Sequence, residues 1–244
     1  MLRTLLHTDN VNFVPALLLL GSGVVPAAVL TFAAAGGARP AVSSTTVVVV
    51  AALGGVVGTV AAGSLEYDTL RRLDTVPVIL VGLIEETAKL LVPAALLFTG
   101  VRSNRSAGVI VGVASGMGFA TLETMGYGFT ALVRTGSLTD VDQTLLLRAL
   151  LSPAGHVAWT GMTCAALWAV VQPEGRLRST FVLLATFVAA VALHAAWDGS
   201  DRLAVHVLVA TFSVGALFVL LSRTHRRSSS TPGSAASLPF AEAR

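Results

Sequence analysis

Long apolar stretches separated by short polar segments dominate this chain. Most of them approach the roughly 20 residues that an α-helix needs to cross a hydrocarbon core about 30 Å thick. The pattern predicts an all-α fold, a polytopic transmembrane helical bundle with about seven spans. The predicted spans cover residues 13–35, 43–63, 76–98, 108–130, 149–171, 179–199 and 203–222.

Turn-forming and polar residues separate the predicted spans. Glycines and a proline occur at 36–40, a polar run occupies 66–74, and a third separator lies at 102–106. Residues 133–148 contain two aspartates and two arginines, which predicts a loop. The first apolar stretch is too long for a signal-peptide core of roughly 7–15 residues, so we interpret it as a retained membrane anchor.

The end of the chain differs from the rest in composition. After Arg223 the sequence is rich in Arg, Ser, Pro and Ala, with too little apolar material to offset the entropy lost on ordering. We therefore predict one membrane domain, residues 1–225, followed by a short disordered C-terminal tail, residues 226–244.

Composition supports a bilayer environment. The chain has 244 residues, 54% hydrophobic and 12% charged, with mean hydropathy +0.79. Its net charge of +3 comes from arginines in the predicted loops and tail, so it indicates topology and not a nucleic-acid partner. The arginine distribution favours a cytoplasmic C-terminus, and we expect a multi-pass protein of the plasma membrane. Cys164 is the only cysteine, which excludes an internal disulfide.

Ionisable residues interrupt four of the predicted spans. Such groups cost several kcal/mol in a membrane interior unless they contact partners or water, so each one is a candidate functional residue. They are Glu85, Glu86 and Lys89 in the third span, Glu123 in the fourth, His156 in the fifth, and His194 and Asp198 in the sixth.

Helical geometry predicts that these residues point into the bundle. At about 100° per residue, six residues of the fourth span fall within a stripe about 80° wide, namely Gly108, Gly112, Gly116, Phe119, Glu123 and Gly126. Glycines spaced four apart allow close approach of a neighbouring helix, so Glu123 should lie on a packed face. His194 and Asp198 are neighbours one helical turn apart.

Each of these residues also has an ordinary structural explanation. Alone, Lys89 would pair with Glu85 one turn away, and His156 would be a hydrogen-bonded core residue. Stability alone does not require so many desolvated ionisable groups, so we predict that together they form one site. The other histidines, at 7, 206 and 225, have no acidic partner at helical spacing, and we place them outside it.

At these residues the sequence resembles the PrsW family of intramembrane proteases, relatives of the CAAX prenyl protease and bacteriocin-processing group. Glu85 to Lys89 match a Glu-Glu-x-x-Lys motif, Phe119 to Glu123 match Phe-x-x-x-Glu, and His194 to Asp198 match His-x-x-x-Asp. His156 supplies the membrane-embedded histidine between them. The resemblance implies a transmembrane protease domain and a membrane-anchored protein substrate, with anti-sigma factors as the known substrate type.

Two chemistries remain open for such a site. In the first, a carboxylate in a medium of low dielectric acts as general base on water. The resemblance implies that this base is Glu85 and that Glu86 and Lys89 orient it. His156 and His194 then donate to the oxyanion, and Asp198 fixes the His194 tautomer. This chemistry, without a metal, is our slight preference.

The second chemistry uses a bound metal ion. Nitrogen and oxygen ligands would hold a Zn²⁺ ion that activates the water. The candidate ligands are Glu123, His156 and His194, with either Asp198 or a glutamate of the third span as the fourth.

Two functions of other classes also fit buried ionisable residues. A proton- or cation-coupled transporter uses acids, histidines and lysines as a relay. A catalytically silent membrane scaffold would keep them for structure alone. The sequence leaves the oligomeric state undetermined, and the lipid bilayer is the one other partner it indicates.

Overall fold

The computed structural model describes residues 2–8, 10–35, 42–99, 105–172 and 175–229, and every regular element in them is helical. The all-α prediction is confirmed. The α-helices are α1 (Leu2–Thr8), α2 (Val14–Ala34), α3 (Ser44–Leu73), α4 (Val78–Leu97), α5 (Arg105–Thr135), α6 (Leu138–Leu151), α7 (His156–Val170), α8 (Arg176–Asp198) and α9 (Leu203–Ser229).

Each predicted span has a helical counterpart, but not all of these helices qualify as spans. Five are long and apolar enough to cross a membrane, namely α2 with its preceding 3-10 turn, α3, α5, α8 and α9. Helix α4 has 20 residues but carries three charged groups, and α7 has only 15 residues, about 22 Å. The protein is therefore a multi-pass membrane protein, and the prediction of about seven spans is approximate.

Helix α3, the counterpart of the second predicted span, is longer than predicted. It begins at the N-cap Ser43, whose hydroxyl accepts a hydrogen bond from the Thr46 amide, and it continues to Leu73. Most of the polar run at 66–74 is thus helical, and the helix ends only at Asp74, with φ of 55°. Glu66, predicted to lie in a connection, is on this helix.

The predicted loop at 133–148 is wrong, because most of it is helical. Ser137 caps α6 by accepting a hydrogen bond from the Asp140 amide. Helix α6 packs its inner face on α2 and α5 through Val141 and Leu145, while Leu146 and Leu147 remain exposed. This two-sided pattern is typical of a helix lying on a bundle.

The predicted fifth span, 149–171, is also interrupted. A 3-10 turn at Ser152–Ala154 contains Pro153, which has no amide hydrogen to donate, and Gly155 follows with φ −112° and ψ −115°. His156 is consequently the first residue of α7. Ser152, which a continuous helix would place on the same face as His156, belongs to the preceding turn.

Helix α5 is the centre of the bundle and packs closely against α7 and α3. A Cβ added at Gly108, Gly112 or Gly116 would lie 2.5–2.7 Å from a backbone oxygen of α7. The predicted glycine contact is confirmed at these three positions, with α7 as the partner, but not at Gly126, where a Cβ would meet nothing within 4 Å. Cys164 on α7 is buried in this contact.

The structure describes only the first four residues of the C-terminal segment that we predicted to be disordered. Helix α9 continues to Ser229, four residues into the segment predicted to be disordered. Residues 230–244 lie outside the described residues, so the division at 225 stays a prediction.

Candidate active site

The acidic turn of α4, residues 85–89, contributes three charged side chains to the site. Lys89 is fully buried, and its Nζ lies 2.7 Å from Glu86 Oε1 and 3.2 Å from Glu85 Oε2. The same ammonium lies 4.4 Å from the centre of the Phe119 ring on α5. A buried ammonium with two carboxylates and an aromatic face is well compensated, which is the condition for keeping charges in a membrane protein interior.

His156 joins α4 to α5. Its Nδ1 lies 2.6 Å from Lys89 Nζ, and its Nε2 lies 2.9 Å from Glu123 Oε2. An ammonium can only donate, so Nδ1 accepts this hydrogen bond. In the neutral ring the remaining proton is then on Nε2, on the side of Glu123.

His194 brings α8 into the same group. Its Nδ1 is hydrogen-bonded to Glu86 Oε1 at 2.9 Å, and its Nε2 lies 3.1 Å from Asp198 Oδ2 and 3.6 Å from Glu85 Oε2. We expected only Asp198 to orient this ring, and the structure adds Glu86 on the other nitrogen. The two histidine ring centres are 5.3 Å apart.

All the predicted site residues therefore lie in one continuous group. Glu85 Oε2 is 4.0 Å from His156 Nδ1, and each other member contacts at least one neighbour within about that distance. A separation beyond about 12 Å would have excluded a single catalytic constellation.

Arg148 belongs to this group, although we predicted it in a loop. It is on α6, its Nη2 lies 2.8 Å from Glu123 Oε1, and its guanidinium lies 3.7 Å from the centre of the Tyr127 ring. Glu123 and Tyr127 are one turn apart on α5, so both contact the Arg148 guanidinium at the same time. No local pattern could have indicated it, because the contact depends on α6 folding back onto α5.

Two further residues were missed or excluded by the sequence. The Trp159 ring is centred 5.8 Å from the ring of His156 and 5.2 Å from that of His194, and its indole N–H donates to Ser213 on α9. His206, which we placed outside the site, is in the wall of the cavity beside it, with Nε2 3.0 Å from the Trp197 carbonyl oxygen.

Glu66 on α3 is a further carboxylate near the site. It lies close enough to interact electrostatically with Glu85 and Glu123. Its Oε1 is buried and forms no hydrogen bond within the described part of the chain.

A cavity of about 360 Å³ opens beside the histidines. Its volume is in the range of small-molecule and peptide-binding clefts. Its wall contains Glu123, Arg148, His156, Trp159, His194 and Asp198. A larger apolar groove, about 580 Å³, lies between α7, α8 and α9 and contains none of the predicted site residues.

The close contact at Gly116 positions His156, and its substitution should therefore impair the site. A Cβ at Gly116 would lie 2.5 Å from the His156 carbonyl oxygen, so Gly116→Ala must displace the start of α7. A misplacement of about 1 Å can lower a rate about 100-fold, and we expect a loss of this order in a membrane-protein cleavage assay.

Gly126 on the same helix provides the matched control. A Cβ there meets nothing within 4 Å, so Gly126→Ala should retain full activity. Equal activity of the two alanine variants would contradict the role of the Gly116 contact.

Three of the site residues are close enough to hold a metal ion. A carboxylate oxygen of Glu85 and one ring nitrogen each of His156 and His194 lie within 4.8 Å of one another. Zinc commonly binds such a set of two nitrogens and one oxygen. Lys89 Nζ, however, contacts two of these groups, at 2.6 Å from His156 Nδ1 and 3.2 Å from Glu85 Oε2. As arranged, the ammonium uses the lone pair of His156 Nδ1 and would repel a second cation.

Residues 25–223 match the model of the PrsW family intramembrane metalloproteases. No curated protein and no solved structure matches the chain. The family match covers all of these residues, from the acidic turn of α4 to Asp198 on α8. This chain is a member of the PrsW family of intramembrane proteases, and its activity is that of a peptidase.

Proposed function

We propose that the protein cleaves membrane-anchored proteins beside this cavity, by means of a water molecule that is activated by Glu85, whose Oε2 lies 3.6 Å from Nε2 of His194 in the cavity wall. The observation that carries the proposal is the state of Glu85 Oε2. It is buried and accepts no hydrogen bond from the described residues, yet it lies within 4.0 Å of both histidines and 3.2 Å from Lys89. A carboxylate oxygen free to accept a hydrogen bond is what a general base for water needs.

The proposed reaction needs no covalent intermediate. Glu85 takes a proton from water as the water oxygen bonds to the substrate carbonyl carbon, which gives a tetrahedral oxyanion. The carbon–nitrogen bond then breaks, and Glu85 returns the proton to the leaving amine. His194 faces carboxylates with both nitrogens, so Nδ1–H donates to Glu86 and Nε2–H, on the side of Glu85, is shared between Asp198 and the oxyanion.

The remaining residues hold these groups in place. Lys89 keeps a carboxylate of the acidic turn ionised, and Glu86 orients His194 through Nδ1. Glu123 contacts Nε2 of His156, and Asp198 contacts Nε2 of His194. Carboxylates in such contacts fix the orientation of a catalytic imidazole.

A zinc-dependent mechanism is the second candidate, favoured by the family description and by the three close donor groups. The contact of Lys89 with His156 and Glu85 supports the metal-independent mechanism instead. We expect purified, active protein to contain far less than one metal ion per chain and to lose little activity to a chelator. Near-stoichiometric zinc, with chelated protein reactivated by added zinc, would contradict this.

Membrane-anchored proteins, with anti-sigma factors among them, are the proposed substrate class. Protein reconstituted in vesicles should be tested on a panel of single-span membrane proteins that includes an anti-sigma factor. The matched control for each is its soluble domain without the span. Cleavage of anchored forms only supports the proposal, whereas equal cleavage of soluble domains contradicts it.

We also propose a plasma-membrane location with a cytoplasmic C-terminus, which the arginine distribution supports. Reporter domains fused after Arg102 and at the C-terminus should both be cytoplasmic. An external C-terminal reporter would reverse the side from which the cavity is reached.

A further inference from the structure

We infer that Arg148 is a positioning residue of the site, which acts on His156 through Glu123. The inference rests on the proposed function and adds a residue outside the motifs of α4, α5 and α8. Its basis is a continuous chain of contacts that begins on α6 and ends at the acidic turn of α4.

The chain has three links. Arg148 Nη2 lies 2.8 Å from Glu123 Oε1, and the other oxygen of that carboxylate, Oε2, lies 2.9 Å from His156 Nε2. On the opposite side of the imidazole, Nδ1 lies 2.6 Å from Lys89 Nζ. One cation therefore fixes the carboxylate that in turn fixes the ring.

The guanidinium has little freedom to take another position. It lies 3.7 Å from the centre of the Tyr127 ring, and Tyr127 is one turn from Glu123 on α5. Helix α6 itself is anchored to α2 and α5 through buried Val141 and Leu145. Arg148 is also only one helical turn before the 3-10 turn that leads into His156.

The acidic residues around Glu123 support the same positioning role for Arg148. Glu85 and Glu123 are both acidic, and Glu66 interacts electrostatically with each of them. Without Arg148, Glu123 would keep only the imidazole as a close partner and could turn towards solvent in the cavity. Loss of a residue that orients a functional group without itself touching the reacting atoms typically lowers activity about 10–100-fold.

The test is a double-mutant cycle in reconstituted vesicles, with the single-span protein that the wild-type protein cleaves in the panel as probe. Arg148→Met and Glu123→Gln should each lower kcat about 10–100-fold and change KM less than about threefold. The double variant should be within about twofold of Glu123→Gln alone, because Arg148 has nothing left to position. Arg148→Lys should recover part of the lost kcat, since it restores the charge but not the planar fork.

The control is Arg134→Met on α5, an exposed arginine that should leave kcat and KM unchanged. If Arg148→Met does not accumulate, Arg148→Lys with and without Glu123→Gln makes the same comparison. The assignment of Arg148 would be overturned if the losses of the two single variants multiply in the double variant. It would also be overturned if Arg148→Met changes only KM, or leaves kcat per folded protein unchanged. A wild-type protein that cleaves nothing in the panel would overturn the proposed function as well.

Discussion

Glu85→Gln is expected to lower proteolysis about 1,000-fold or more while the protein still accumulates in membranes. The amide keeps the size of the side chain but cannot take a proton from water, and general-base catalysis contributes about 10²–10⁴-fold. The rate of appearance of a cleaved fragment, per unit of folded protein in vesicles, measures the effect.

Asp68→Asn on α3 provides a matched acid-to-amide control. Asp68 is exposed and belongs to none of the contacts of the site, so its substitution should leave the rate unchanged. Glu85→Gln with wild-type activity would remove Glu85 from the role of base, whatever the other residues do.

Lys89→Met is expected to have the largest effect on stability and to abolish cleavage. Lys89 is the only lysine in the sequence and is fully buried between Glu85 and Glu86. Removal of one partner from a buried ion pair leaves an uncompensated charge and typically costs about 3–5 kcal/mol. Thermal unfolding and the amount of folded protein recovered from membranes report this loss.

A second substitution separates the charge effect from general damage to the fold. Lys89→Met with Glu86→Gln removes one of the two carboxylate charges left without Lys89, so it should recover part of the stability but not the activity. Arg72→Met, at an exposed position of α3, is the control for loss of a cation. A double variant no more stable than Lys89→Met alone would show that packing, and not charge, explains the loss.

The membrane helices were predictable because about 20 apolar residues carry a strong signal. The failures concern polar or short segments. Residues 133–148 contain Asp140 and Asp142, which suggested a loop, but α6 needs only the half-apolar face that rests on α2 and α5. The break before His156 was missed because Pro153 and Gly155 are isolated in an otherwise apolar stretch, where either residue is often tolerated within a membrane helix.

The ionisable members of the site were predictable because a buried charge is expensive in lipid and rarely present without a role. Residues that join the site through tertiary contacts were not. Arg148 reaches Glu123 only because α6 folds back, and His206 reaches the cavity wall only because α9 begins beside Trp197. His206 also has no acidic residue one turn away on its own helix, which was the criterion that excluded it.

The position of the cleaved peptide bond tests the central claim most directly. Wild-type protein and Glu85→Gln are incubated in vesicles with a single-span membrane protein, and the new termini are identified by mass spectrometry. The proposed mechanism predicts new termini within or at the edge of the substrate's membrane span, formed by the wild-type protein and not by Glu85→Gln. Identical termini from both proteins, or wild-type cleavage confined to soluble domains away from the membrane, would contradict it.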